Sequence, residues 1–158
     1  MSLFKLDEVI QMAMQAELAG QALYAALAQH CPRPEVAALC RQLASQEQSH
    51  YDTFKSIRES QPSALAGKQL SLDEVEFIKG LVAGRVIPNE AEAMATVRKN
   101  SVGAVLDLAI RAEQDSVAFY RELLGHIDAS DVSEIREIIE EEKRHEELLQ
   151  QVRQNVVD

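Results

Sequence analysis

The chain has 158 residues, 46% of them hydrophobic and 27% charged, with only 4% aromatics, no Trp, six Gly and four Pro. One domain of this length buries a core without disulfide staples, and the composition excludes collagen-like, low-complexity and disordered classes and disfavours a β-sandwich or barrel. The net charge of −10 argues against a nucleic-acid or anionic-membrane partner and suits a chain that gathers cations.

No apolar run approaches the roughly 20 residues of a membrane span. The start, Met1-Ser2-Leu3-Phe4-Lys5, lacks the apolar core of a signal peptide. Cys31 and Cys40 have no metal-knuckle spacing and are expected to stay reduced, in a cytoplasm.

Four long periodic stretches predict helices. The first runs from about Asp7 to His30, where Cys31-Pro32-Arg33-Pro34 breaks it. Pro34 can occupy the first turn of the second, which runs to about Ser60. The third spans about Ser101 to Leu124 and is ended by Gly125. The fourth starts near Asp131, which stands three residues before Glu134 as in a capping box, and runs nearly to the C-terminus. Residues 61–100 carry two shorter helical signals. Ser71-Leu72-Asp73-Glu74 opens one that stops at Gly84, and Pro88-Asn89-Glu90 opens another that reaches Asn100. Short, long and short links predict an all-α four-helix bundle in one domain, 1–158, made of a hairpin over 1–60, a crossover over 61–100 and a hairpin over 101–158.

Alternating four-three spacing exposes the buried seam of each helix. The second helix reads Val36, Cys40, Leu43, Glu47, His50, Phe54, Ile57, and the fourth reads Ile135, Ile138, Glu142, His145, Leu149, Val152. Both are apolar except at the middle, and both exceptions are Glu-x-x-His. The first helix reads Leu6, Ile10, Ala13, Glu17, Gly20, Tyr24, Leu27, and the third reads Val102, Leu106, Ala109, Glu113, Ser116, Tyr120, Leu123. One carboxylate breaks each of these, with a Tyr seven residues on. The chain therefore repeats itself: Glu17 to Glu47 is 30 residues and Glu113 to Glu142 is 29.

Residues three apart on a helix lie about 60° apart in rotation and about 4.5 Å apart along the axis, so both side chains of Glu-x-x-His can reach one ion. Four buried carboxylates would repel one another and lose solvation, or hold protons instead. Two divalent cations balance the four charges. Carboxylates with imidazoles suit iron or manganese and admit zinc, and the missing thiolates argue against a structural zinc site.

The segments Ala16-Glu17 through Tyr24, Glu47-Gln48-Ser49-His50, Ala112-Glu113-Gln114-Asp115-Ser116 through Tyr120, and Glu142-Lys143-Arg144-His145 carry a resemblance. The chain resembles the ferritin-like superfamily of di-iron carboxylate proteins and, within it, the rubrerythrin-like group. The resemblance implies a ferritin-like bundle in which Glu17, Glu47, His50, Glu113, Glu142 and His145 hold two iron ions, with Glu47 and Glu142 bridging. It implies that Tyr24 and Tyr120 donate hydrogen bonds to ligand carboxylates. A typical rubrerythrin carries a rubredoxin domain with paired Cys-x-x-Cys. These 158 residues have no such motif, so a separate rubredoxin-like electron donor is expected. Rubrerythrins also carry a further carboxylate on the third helix. Here Ile110 and Ser116 flank Glu113 at three residues, which leaves the leaner set of four Glu and two His.

The function expected on this resemblance is that of a non-haem di-iron oxidoreductase acting on Fe(II), hydrogen peroxide or dioxygen, as in oxidative-stress defence, in a homodimer. The alternatives are a non-catalytic metal-binding or iron-storage bundle, and a structural bundle with relic ligands. Other residues have plainer readings. Tyr51 is an ordinary partly buried Tyr, His30 and His126 are helix-end surface residues, and Met12 and Met14 are packing residues. In Glu140-Glu141-Glu142 only Glu142 lies in the seam; the rest, with Glu146 and Glu147, is solvated face.

Overall fold

The computed structural model describes residues 6–60, 71–73, 75–76, 95, 101–125 and 129–156. Four long helices account for most of them: α1 (Leu6–His30), α2 (Pro34–Ser60), α3 (Val102–Leu124) and α4 (Ala129–Gln154).

The helix ends follow local chemistry. Pro34 is the first residue of α2, where its missing N–H costs nothing. The Ala37 N–H already bonds back to the Arg33 carbonyl at 2.9 Å. Ser101 caps α3: its backbone is extended and its hydroxyl accepts from the Ala104 N–H at 3.0 Å. Gly125 ends α3 in a right-handed conformation (φ −65°, ψ −15°), so the left-handed freedom of glycine is not what stops the helix. The start expected near Asp131 is corrected: α4 begins at Ala129, and Asp131 lies inside its first turn. An acidic residue there is still at the positive end of the helix dipole, so the same sequence signal fits either position. The two short helices predicted within 61–100 lie largely outside the described residues; 72–73, 75–76 and 95 are helical.

The seams pack as two apolar clusters. One gathers the start of α1 (Leu6, Ile10), the end of α2 (Phe54, Ile57), the end of α3 (Phe119, Leu123) and the start of α4 (Ile135, Ile138). The other gathers the end of α1 (Leu23, Leu27), the start of α2 (Val36, Leu43), the start of α3 (Val102, Leu106) and the far part of α4 (Leu149). This membership fixes the topology. Helices α1 and α3 run antiparallel, as do α2 and α4, so α2 and α3 run parallel. The link from Ser60 to Ser101 must therefore travel the length of the bundle. Val75, on that link, is buried in the first cluster. Between the two clusters lies the layer that holds the polar seam residues.

Candidate metal centre

Among the described residues, the buried charged side chains are Glu17, Glu47, His50, Glu113, Glu142 and His145, and no others. These are the six that interrupt the seams. Helix α1 supplies Glu17, α2 supplies Glu47 and His50, α3 supplies Glu113, and α4 supplies Glu142 and His145. Each is at most 5% exposed.

Their ligand atoms fall into two groups. Glu17, Glu47, His50 and Glu142 offer one atom each within 4.8 Å of one another, and so do Glu47, Glu113, Glu142 and His145. Glu47 and Glu142, the pair expected to bridge, belong to both groups. Each group can hold one ion, and each draws on both hairpins. The His50 and His145 rings stack with centroids 5.9 Å apart, and both turn Nδ1 inward. His50 Nδ1 is 3.2 Å from Glu142 Oε1 and 3.5 Å from Glu17 Oε2. His145 Nδ1 is 3.1 Å from Glu142 Oε2 and 3.7 Å from Glu113 Oε2.

Two observations fit a cation here. Buried Glu17 Oε2, Glu47 Oε1, Glu142 Oε1 and His50 Nδ1 lack hydrogen-bond partners among the described residues; leaving such groups bare is costly and a metal satisfies them together. Gly20 provides the space. A Cβ there would stand 2.4 Å from Glu47 Oε2, so the carboxylate occupies the room that any other residue would fill.

The two tyrosines reach across the bundle. The Tyr24 hydroxyl of α1 donates to Glu113 Oε1 of α3, and the Tyr120 hydroxyl of α3 donates to Glu17 Oε1 of α1. Each Tyr thus holds the carboxylate of the opposite hairpin rather than the one two turns below it. The antiparallel register of α1 and α3 brings both pairs together at once.

Sequence reasoning missed Glu141. Read as solvated face, it is 40% exposed yet bonds His50 Nε2 through Oε2 at 2.7 Å. The signal was its position one residue before Glu142, facing an antiparallel partner whose histidine lies in register. The other residues behave as read. His30 is exposed, Tyr51 and Met12 are partly buried against the first cluster, and Met14 is inside it. Cys31 and Cys40 are free, with burial pushing the Cys40 thiol up to about 12. His126 lies outside the described residues.

Electrostatics within the cluster reflect four carboxylates sharing one small volume. Burial, then repulsion from neighbouring carboxylates, pushes Glu47 and Glu113 well above the usual range, and burial raises Glu17. Burial also works against charge on Glu142, but the imidazoles of His145 and His50 outweigh it and hold Glu142 below the usual range. Burial would lower both histidines, yet the facing carboxylates raise His50 to about 11 and His145 to about 9. Protons thus neutralise the cluster where divalent cations can replace them.

Residues 8–80 match the rubrerythrin family. No curated protein is significantly similar to the chain. In fold the chain is similar to a Thermotoga maritima protein described as a ferritin-like diiron-carboxylate protein, with a TM-score of 0.75 and 23% identity over 98% of this chain and 97% of that one. No helix among the described residues is long and apolar enough to cross a membrane. With its polar layer between two apolar clusters, the chain shares its fold with the Thermotoga maritima protein along nearly its whole length, and residues 8–80 match the rubrerythrin family.

Proposed function

We propose that the chain is a non-haem di-iron oxidoreductase that oxidises Fe(II) or reduces hydrogen peroxide or dioxygen. The observation that carries this is the pair of overlapping ligand groups sharing Glu47 and Glu142. Glu17 and His50 complete one position, and Glu113 and His145 complete the other. Iron bound there supplies one-electron redox chemistry; manganese is the alternative ion, and zinc fits the donor set without redox change.

The chain's own residues supply the rest. Four carboxylates balance two divalent charges. Tyr24 and Tyr120 hold Glu113 and Glu17 in place, so those ligands cost less to order when an ion arrives. The apolar clusters above and below exclude water and strengthen every charge interaction between them. His50 borders a cleft of about 480 Å³ between α2 and α4, lined also by Ser49, Thr53, Glu137 and Glu141, through which a cation or a small oxidant can approach. Cytoplasmic residence agrees with the two free cysteines. A rubredoxin-like electron donor and a homodimer follow from the resemblance to rubrerythrins.

The test is anaerobic Fe(II) loading of the full chain, followed by hydrogen peroxide or dioxygen, with iron content and near-ultraviolet absorbance as readouts. Two irons per chain and rapid oxidation are expected, and the faster oxidant identifies the branch. Two ions with no oxidation response would make the chain a storage or binding bundle. Failure to bind any ion would sink the proposal, as would full loading of a Glu47→Ala/His50→Ala double variant.

A further inference from the structure

The two halves of the centre match in their inner ligands and differ in what stands behind the histidines. Helices α2 and α4 are antiparallel, so the register that sets Glu141 against His50 also sets Gln46 against His145. Each is the residue just before its own helix's Glu. His50 Nε2 bonds the Glu141 carboxylate at 2.7 Å. His145 Nε2 and Gln46 Oε1 are both buried, without hydrogen-bond partners among the described residues, and both residues line one cavity of about 310 Å³. A carboxylate bonds the His50 ring, whereas the His145 ring shares its cavity with a neutral amide that forms no hydrogen bond to it, a cavity that Glu141 and Arg144 also line.

Consider the ring as a ligand. With its proton on Nε2, His50 donates to Glu141 and presents the Nδ1 lone pair to Glu17 and Glu142, where an ion would sit. A carboxylate accepting that bond fixes the tautomer and makes the ligating nitrogen more basic. An amide oxygen does the same more weakly, because a hydrogen bond to a neutral acceptor has about half the strength of a charge-assisted one.

We propose that Glu141 is a positioning residue for His50, and that the Glu141/Gln46 difference makes the two metal positions unequal, with the Glu17–Glu47–His50–Glu142 position taking the first ion. This rests on the dimetal reading above and adds an order of filling to it. Glu141 belongs to neither ligand group and acts on the metal position through the His50 ring.

The experiment is calorimetric titration of the metal-free full chain with Zn(II), paired with nitrogen-15 NMR of the histidine rings in the zinc-loaded protein. The unaltered chain is expected to take two ions in two resolved steps, with an Nε2–H signal for His50 protected from exchange. Glu141→Gln keeps size and acceptor but removes the charge. It is expected to weaken the tighter step about 10- to 100-fold and to shift the His50 ring signal. Gln46→Glu, its mirror, is expected to strengthen the weaker step and shift His145. Because Glu141 and Gln46 are both partly exposed residues, both variants should keep the fold, which circular dichroism checks. Two ions binding with equal affinity to the unaltered chain would overturn the inference and leave the dimetal proposal standing. So would a folded Glu141→Gln protein with both affinities and the His50 signal unchanged. Fewer than two ions on the unaltered chain would overturn both.

Discussion

Gly20 shows how much one absent atom decides. In a helix interior Gly is about 1 kcal/mol worse than Ala, yet here a Cβ would meet the Glu47 carboxylate at 2.4 Å. Gly20→Ala is therefore expected to leave the metal-free melting temperature unchanged or raised while metal affinity falls, by roughly 10- to 100-fold if Glu47 is displaced as other ligands are when their supports are lost. Equilibrium metal titration beside thermal unfolding separates the two effects; an unaltered affinity would show that Glu47 does not need that space. The histidines set the pH response. In the metal-free protein His50 and His145 keep their protons to about 11 and about 9, whereas unfolded histidine releases its proton near 6.5. Glu17, Glu47 and Glu113 also hold protons above the ordinary carboxylate range. The folded state thus binds more protons than the unfolded state above pH 6.5, and its stability falls as pH rises. The histidines' share of the stabilisation is complete below 6.5 and is lost as pH passes through about 9 and then about 11. The melting temperature of the metal-free chain is expected to drop between pH 6.5 and 9, while metal affinity climbs over the same range because ions displace the protons. A metal-free melting temperature that rises over that range would contradict the arrangement.

At the scale of the element, the seams were legible because a buried helix face repeats with a fixed period, and the six interruptions are the six buried charged residues among those described. Ends were legible where one residue type has one physical use. Pro34 starts α2 and Ser101 caps α3. Ser101→Ala removes the acceptor for the Ala104 N–H and is expected to cost about 1 kcal/mol. In a domain of this size that is a fall of roughly 2 to 4 °C in melting temperature, readable by calorimetry. Retention of the full melting temperature would mean that another group takes over the cap. The start of α4 was less legible, since an Asp serves a helix both as its cap and within its first turn. Glu141 was missed for a related reason: one glutamate among three in a row carries no period of its own, and only the facing helix selects it.

The whole molecule is two hairpins tied through one polar layer. Each ligand group takes side chains from both, so an ion bound in either clamps α1–α2 to α3–α4. Loading at 100-fold excess over the dissociation constant is expected to add about 2.7 kcal/mol per site, a rise of roughly 5 to 10 °C that a chelator reverses. A melting temperature indifferent to metal and chelator would mark the buried charges as structural relics. By itself, the sequence determined the four long helices, the seams, the repeat and which six side chains would be buried together, because periodicity and the cost of burying charge are local properties of the chain. Only the tertiary structure decided who touches whom. The antiparallel register of α1 with α3 sends each tyrosine to the opposite hairpin's glutamate, and that of α2 with α4 sets Glu141, but not an equivalent carboxylate, behind a histidine. Such pairings depend on the relative placement of helices far apart in the chain, which no period within one helix can encode.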